Sequence, residues 1–316
     1  MCEYTQRIRD FINRPRKRDA LLKNRAYWLQ VCSCLDVIED SQLAIEAYSA
    51  EEFGASDGAH YLAVYGLLQA ISLQQDAVNN LCKSLEIPKT IYNYPRLKEI
   101  RDIRIESIGH PTKKNKKEGQ RQPPSYHFIA RITLGHSGFQ LLSAYSNGKP
   151  DESKYVSIPD IIADQRKDIS DILTFVMGRL EQEEAAHKEK FRMEKLASLF
   201  PATLDYHLGK VLECALTREH AALGEVNLQQ IKQTLQDFRK ALAKRGIGLE
   251  TDDLIKHVYE LLEYPLDELE EFFQSVKSRE EFNISEKTAY IFAFFVEKKV
   301  AELRQIAKEI DEYYSS

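Results

Sequence analysis

The chain has 316 residues, of which 43% are hydrophobic and 29% charged, so it can bury the core of one large or two modest domains. Its formal net charge is only −5, so affinity for a polyanion would have to come from a local basic patch. The sequence has neither an apolar leader stretch nor the ~18 consecutive apolar residues of a membrane span, which predicts a soluble protein without a membrane partner.

Helical periodicity dominates the first hundred residues. From about residue 19 to residue 50, apolar residues recur every three or four positions, which predicts a helix with one buried face. The next helix is predicted for "YLAVYGLLQAISLQQDAVNNLCKSL", which is apolar on much of its circumference and should lie centrally. A third helix is predicted for "PRLKEIRDIRIESIG", which has Pro95 at its start and ends at Gly109-His110-Pro111.

The chain then changes character. Residues 111–123 have prolines at both ends and almost no apolar residue, which predicts an exposed loop. Residues 126–147 combine β-branched and aromatic residues around "GHSG", which predicts a β-hairpin. Its histidines, His127 and His136, are predicted to lie at the surface, and the alternative is that they contact RNA. Beyond a further long helix, the pattern is helical again from about Leu196. We therefore predict a mainly α fold, with a helical bundle and hairpin insert in residues 1–193 and an all-helical domain in residues 194–316.

The predicted loop carries a local excess of positive charge. It contains five cations and one acid, Glu118, the cations being Lys113, Lys114, Lys116, Lys117 and Arg121. Clustered cations attract phosphates without sequence preference, so these five residues are candidates for RNA binding. The alternative is a solvated loop that merely increases solubility.

Arg104 and His110 lie beside this loop and suit phosphodiester chemistry. A histidine titrates near neutrality and can exchange protons with a nucleophile or a leaving oxygen. An arginine holds phosphate oxygens with its planar fork and stabilises charge that develops on them. If the substrate is RNA, its own 2′-OH supplies the nucleophile and no metal or cofactor is needed. The sequence contains no HExxH pair, Walker loop or GxGxxG, so we predict neither a metal site nor a cofactor.

The spacing of these two residues constrains the site. Six positions along an ideal α-helix correspond to a net rotation of about 240° and a rise of roughly 9 Å, so the side chains would point in different directions. A break at Gly109 and Pro111 could move His110 off the helical path. Alternatively, a symmetric dimer could line one cleft with the same helix from two chains, and this is the arrangement we expect.

The segment "LKEIRDIRIESIGHPTKK" resembles the signature of HEPN domains, the "higher eukaryote and prokaryote nucleotide-binding" domains, whose motif is Arg, four to six residues, then His. Arg104 and His110 enclose five residues. The resemblance covers at most the first predicted domain. It implies a helical bundle and, in active members, a metal-independent endoribonuclease that works as a homodimer. Such proteins are common as toxins and as RNA-cleaving effectors of anti-phage defence.

The resemblance also implies roles for individual residues. Arg104 would bind the scissile phosphate, and His110 would act as general acid or base. Many active members have a polar residue, often Asn, directly after the Arg, where this chain has Ile105. Polar groups that could brace Arg104 are Gln74, Gln75 and Asp76 on the central helix, and Asp102, Glu106 and Ser107 beside it.

These features leave more than one function open. The leading hypothesis is a homodimeric RNA endonuclease, with tRNA as one candidate substrate and an antitoxin or regulatory protein as a partner. The five cysteines of the chain form no CxxC pair, which is typical of reduced thiols and favours a location in the cytoplasm. The alternative is a non-catalytic HEPN module that binds nucleotide, RNA or a protein, and Ile105 is the residue that favours it. A third reading is a structural dimerisation protein with an incidental basic loop.

Overall fold

The computed structural model of the chain describes residues 1–50, 56–109, 111–112, 124–217, 220–249, 252–278 and 284–315. The chain divides into two compact units: unit 1 contains Met1–Ile12 and Asn24–Glu181, and unit 2 contains Asn13–Lys23 and Gln182–Ser316. The described residues are mainly helical and include a small antiparallel sheet, which confirms the predicted mainly α fold with a hairpin insert.

The helices account for most of both units. In chain order they are α1 (Cys2–Ile12), α2 (Pro15–Leu22), α3 (Arg25–Ala50), α4 (Asp57–Ser84), α5 (Pro95–Arg104), α6 (Ile158–Phe191), α7 (Ala202–Thr217), α8 (Ala221–Lys244), α9 (Asp253–Ser278) and α10 (Glu286–Ser315). None of the helices in the described part of the chain has the length and hydropathy that a membrane span requires.

The core of unit 1 forms where α3, α4 and α5 meet the sheet. Leu68 and Ile71 of α4 pack in one apolar cluster with Ile103 of α5 and Phe139 of the sheet. The side-chain pairs between α4 and α5 fix their direction, because Asp76 bonds Arg101 whereas Gln69 bonds Arg104. The two helices are therefore antiparallel, and α5 ends opposite Gln69, near the middle of α4.

The insert is a three-stranded sheet rather than a lone hairpin. Its strands are β1 (Ser125–Ile129), β2 (Gly138–Tyr145) and β3 (Glu152–Ser157), paired in the order β1-β2-β3. The predicted hairpin corresponds to β1 and β2, in which Phe128 pairs with Leu142. The sequence analysis missed β3 because only Val156 of this strand is buried, so the strand carries little apolar periodicity.

Unit 2 is built on a bundle of α7, α8, α9 and α10. Around this bundle, α8 packs on α7 and α9, and α10 packs on the same two helices. Its core holds large side chains that are almost fully buried, among them Phe238, Phe272 and Phe273. The second helical region predicted from the sequence is therefore present.

The division of the chain differs from the predicted boundary between residues 193 and 194. Unit 2 already begins at Gln182, so the division falls inside α6, which continues without a break to Phe191. Residues 13–23, predicted to belong with the first domain, also belong to unit 2. Ion pairs accompany this placement, since Arg16 and Lys17 of α2 pair with Glu183, and Arg16 also with Glu184.

Candidate functional site

Arg104 ends α5 and is followed directly by a π-helical turn, Ile105–Gly109. A π-helix is wider than an α-helix and joins each residue to the one five positions on, and such turns are frequent at functional sites. Gly109 is five positions after Arg104, and a Cβ built on Gly109 would lie 3.2 Å from Arg104 Nη1. The rotation of an ideal α-helix therefore does not apply here. The guanidinium lies against the backbone that immediately precedes His110.

Gln69 of α4 orients the Arg104 guanidinium. Arg104 Nη2 donates a hydrogen bond of 2.8 Å to Gln69 Oε1, whereas Arg104 Nε is buried and has no hydrogen-bond partner among the residues that the structure describes. A guanidinium has five N–H donors, and a buried donor without a partner costs roughly 1–3 kcal/mol. Most buried polar groups in native structures have a partner, and the described chain contains four other exceptions, among them Nε of Arg16 and of Arg304. The guanidinium thus has N–H donors that Gln69 does not use.

The residue that braces Arg104 is not among those the sequence suggested. Asp76 forms a 2.8 Å ion pair with Arg101, one turn before Arg104. Gln74 and Gln75 belong instead to a buried chain of glutamines. Gln69 escaped the sequence analysis because a glutamine on a largely apolar helix gives no signal of its partner. Its one sequence signal is position: it lies seven residues before Asp76 and thus on nearly the same face of the helix.

The three remaining polar candidates lie on or beside the π-helical turn. Ser107 is 3% exposed, and its buried Oγ has no hydrogen-bond partner in the described part of the chain. Asp102 and Glu106 are half-buried. Ile105, which stands where a polar residue was expected, is half-buried as well, and its Cβ would lie 3.8 Å from a Cβ at Gly109.

Strand β1 holds the backbone on the other side of His110. The His127 N–H donates a 2.8 Å hydrogen bond to the carbonyl oxygen of Pro111. The predicted surface position of His127 is wrong, because its side chain is 5% exposed and its ring nitrogens bond the hydroxyls of Ser125 and Ser143 at 3.0 and 2.9 Å. The chain on either side of His110 is therefore fixed by the π-helical turn and by β1.

Most of the predicted site lies outside the described residues. This holds for His110 and for the loop cations Lys113, Lys114, Lys116, Lys117 and Arg121. Their roles stay predictions. Among the residues that the structure describes, no group of three or more His, Cys, Asp or Glu side chains could hold a metal ion.

Helix α4 presents an apolar stripe to solvent beside Arg104. We call Leu62, Tyr65, Gly66, Gln69 and Leu73 the α4 stripe; they recur at three- and four-residue spacing, and Leu62, Tyr65 and Leu73 are 77%, 40% and 45% exposed. The sequence predicted a helix covered on several sides, but this side is open within the described chain. Gln69, which holds Arg104, lies in the middle of the stripe.

Comparison with known proteins identifies no relative: no protein-family model, curated protein or solved structure matches the chain.

Proposed function

We propose that the protein is a metal-independent endoribonuclease of the HEPN type, in which Arg104 binds the scissile phosphate and His110 transfers protons. The observation that carries the proposal is the state of Arg104. Its guanidinium is held by a neutral partner, Gln69, retains a buried Nε without a partner in the described chain, and lies against the residue preceding His110. Arg101, one turn earlier, is instead paired with the carboxylate of Asp76. Arg104 keeps its full charge for a ligand.

The proposed reaction is an internal transesterification. The 2′-oxygen of a ribose attacks the adjacent phosphorus, so a bond from O2′ to phosphorus forms while the bond from phosphorus to O5′ breaks. A histidine accepts the proton of the 2′-OH, and a protonated histidine donates a proton to O5′. Arg104 neutralises the additional negative charge on the phosphate oxygens in the transition state. The products are a 2′,3′-cyclic phosphate and a free 5′-OH.

A homodimer supplies both histidines that this reaction needs. The α4 stripe supports this assembly, because exposed apolar stripes on soluble proteins commonly mark a protein interface. Gly66 in the stripe has open space around it, which permits another helix to approach closely. Since Gln69 lies within the stripe and holds Arg104, a second copy that packs there in a two-fold manner brings the two sites together.

The proposal extends to the surroundings of the site. The loop cations Lys113, Lys114, Lys116, Lys117 and Arg121 would draw RNA to the site through its phosphates, with tRNA as one candidate substrate. The enzyme would act in the cytoplasm. A nuclease without strong sequence preference is toxic to its own cell, so an antitoxin or another regulatory protein would restrain it.

The decisive experiment is incubation of the purified protein with total tRNA in EDTA. We expect cleavage with 2′,3′-cyclic phosphate ends, and its loss in Arg104→Ala and His110→Ala with the thermal melting curve unchanged. The matched control is Arg25→Ala, which removes an exposed arginine at the start of α3. Cleavage that persists in both site variants would contradict the proposal.

A non-catalytic RNA-binding or protein-binding module is the second candidate, and Ile105 is the observation that favours it. The side chain beside Arg104 can neither donate nor accept a hydrogen bond. RNA binding without cleavage across many RNAs, combined with a stable protein partner in pull-down, would favour this candidate over the nuclease.

A further inference from the structure

The three-stranded sheet of unit 1 buries one of its faces and exposes the other. Leu141 on the inner face is 2% exposed. On the other face, Phe128, Leu142 and Tyr155 are 57%, 38% and 54% exposed. The register explains this division, because Leu142 pairs with Phe128 on one side and with Ser153 on the other, and side chains alternate between the two faces. We call the solvent side of the sheet the open face; its residues are Phe128, Gln140, Leu142, Ser153 and Tyr155.

The ring of Tyr155 leans across the open face. A Cβ built on Gly138 of the neighbouring strand would lie 2.8 Å from the Tyr155 hydroxyl oxygen and 2.9 Å from its Cζ, so the ring occupies the place that a side chain at residue 138 would take. Beside it, Gln140 Nε2 donates a 2.6 Å hydrogen bond to Ser153 Oγ. The sheet therefore supports the ring of Tyr155, which is still 54% exposed.

The chain carries positive charge shortly before and shortly after β1. The five cations of residues 113–121 precede this strand in the sequence, although they lie outside the described residues. Arg131 belongs to the short helical turn Arg131–Thr133 that follows β1; it is exposed, and its guanidinium forms no hydrogen bond or ion pair within the described chain. This turn borders the open face, because Thr133 Oγ1 accepts a 2.9 Å hydrogen bond from the N–H of Gln140.

We propose that the open face binds single-stranded RNA, with bases stacked on the rings of Phe128 and Tyr155 and a phosphate neutralised by Arg131. This inference rests on the proposed function, since it identifies where the same substrate is held. Exposed rings on an antiparallel sheet are a platform on which unpaired bases stack with little regard to sequence. The two rings belong to the outer strands, about 10 Å apart across the sheet, so one RNA strand can contact both.

Strand β1 connects the open face with the proposed cleavage site. The N–H of His127 donates its 2.8 Å hydrogen bond to the carbonyl oxygen of Pro111, the residue that follows His110 in the sequence. Phe128 is the next residue of the same strand, and its side chain points to the open face. RNA that stacks on Phe128 is therefore held close to the segment that follows the π-helical turn.

The test measures binding of an RNA that cannot be cleaved. The probe is a short fluorescent single strand whose 2′-oxygens are methylated, so no 2′-OH is available to attack the phosphate. By fluorescence anisotropy we expect the single strand to bind, and its duplex to bind at least about tenfold more weakly because paired bases cannot stack on the protein. Phe128→Ala and Tyr155→Ala should each weaken binding of the single strand at least about fivefold.

Further substitutions separate stacking from apolar contact and from charge. Phe128→Tyr keeps a ring and should bind like the wild type, whereas Phe128→Leu keeps an apolar side chain without a ring and should bind as weakly as Phe128→Ala. Ile132→Ala, which truncates an apolar side chain that is 97% exposed, should leave binding unchanged. Arg131→Gln should weaken binding about threefold and reduce its salt dependence, whereas Arg25→Gln, at an exposed arginine of α3, should do neither.

Equal binding of the duplex, or wild-type binding by Phe128→Leu, would overturn the proposal. Unchanged RNA binding by Phe128→Ala together with a changed oligomeric state in light scattering would assign the open face to a protein contact and would overturn it as well. Binding that follows the ring variants in a protein that cleaves no RNA would uphold the open face while refuting the nuclease. Cleavage and binding that both ignore the ring variants would do the reverse.

Discussion

The backbone of Gly109 lies so close to the guanidinium of Arg104 that a Cβ at residue 109 would be 3.2 Å from Arg104 Nη1. That distance is shorter than ordinary van der Waals contact between a carbon and its neighbours. The contact, rather than an unusual backbone conformation, is what favours glycine here, since Gly109 is not among the glycines with positive φ. The close approach of the Gly109 backbone therefore limits where the Arg104 guanidinium can lie.

Gly109→Ala should therefore impair cleavage without unfolding the protein. The added methyl group displaces the Arg104 guanidinium by a few tenths of an ångström. Since a misplacement of about 1 Å in an active site can lower the rate roughly 100-fold, we expect a loss of about threefold to tenfold. Stability should stay level or rise, because Ala is favoured over Gly in helical positions by up to ~1 kcal/mol. Single-turnover cleavage and thermal melting of the variant test both parts.

Gly178→Ala is the matched control for that substitution. Gly178 lies inside α6, and a Cβ built there meets no atom within 4 Å. We expect full cleavage activity in this variant. Wild-type cleavage by Gly109→Ala would show that the position of the guanidinium is unimportant.

Gln69 should act as a positioning residue for Arg104, with a distinct kinetic signature. A hydrogen bond to a charged group is worth about 1.5–3 kcal/mol, so Gln69→Ala should lower kcat about tenfold and change KM little. Gln69→Glu keeps an acceptor but places a negative charge beside the phosphate, so its main effect should be a higher KM. Steady-state kinetics on an RNA oligonucleotide separate the two effects. Gln6→Ala, which alters an exposed glutamine bonded to Asp10, is the control. If Gln69→Ala and Gln69→Glu had the same kinetics as the control Gln6→Ala, Gln69 would not position Arg104.

Sequence patterns could predict the fold class and the position of Arg104, but not the contacts that orient it. Apolar periodicity reveals helices because it reflects which face is buried. The π-helical turn after Arg104 has no such signature, since its composition is that of any helix end. The hydrogen bond between Arg104 and Gln69 joins residues 35 positions apart in the sequence, and it arises from the antiparallel packing of α4 and α5. The place of Arg16 in unit 2 is likewise a tertiary effect, accompanied by its ion pairs with Glu183 and Glu184.

The buried glutamines of unit 1 should make a large contribution to its stability. Gln165 is 2% exposed, accepts a 2.8 Å hydrogen bond from Gln75 Nε2 and donates one of 2.9 Å to Gln74 Oε1. Gln165→Leu leaves two buried groups without these partners, at roughly 1–3 kcal/mol each. Gln42→Leu, at the end of the chain of glutamines, removes the acceptor of Gln74 Nε2 and should cost less. Urea unfolding that ranks the two variants in the opposite order would contradict this account.

Unit 2 should lose stability in acid through Glu184. Burial alone would raise the pKa of this carboxyl, but hydrogen bonds from Tyr313 and Arg16 outweigh burial and hold its pKa below the usual value. Because the folded pKa is the lower one, the stabilisation is complete above the unfolded pKa of ~4.3 and is lost as the pH falls below it.

Glu184→Gln should therefore lower the free energy of unfolding by about 1–2 kcal/mol at pH 7, and the difference from the wild type should shrink as the pH falls below about 4.5. Urea midpoints measured between pH 7 and pH 3 test this. Glu189→Gln, in which the carboxyl is 75% exposed and 3.7 Å from Arg192, should match the wild type throughout. If the difference in the free energy of unfolding between Glu184→Gln and the wild type stayed constant with pH, the charge of Glu184 would not contribute to stability.

The α4 stripe should be necessary both for dimerisation and for cleavage. Leu73→Glu introduces a charge into the proposed interface, where two copies would bring like charges together, so we expect a monomer by light scattering and loss of cleavage. The monomer should still unfold cooperatively, since Leu73 is already 45% exposed, but it should melt below the wild type because it lacks the stabilisation that dimerisation adds. Leu29→Glu is the control: Leu29 is 54% exposed, and its neighbour Gln30 bonds Ser84 at the far end of α4 from Gln69. A Leu73→Glu protein that is monomeric but fully active would separate catalysis from the dimer, because one chain would then hold a complete site.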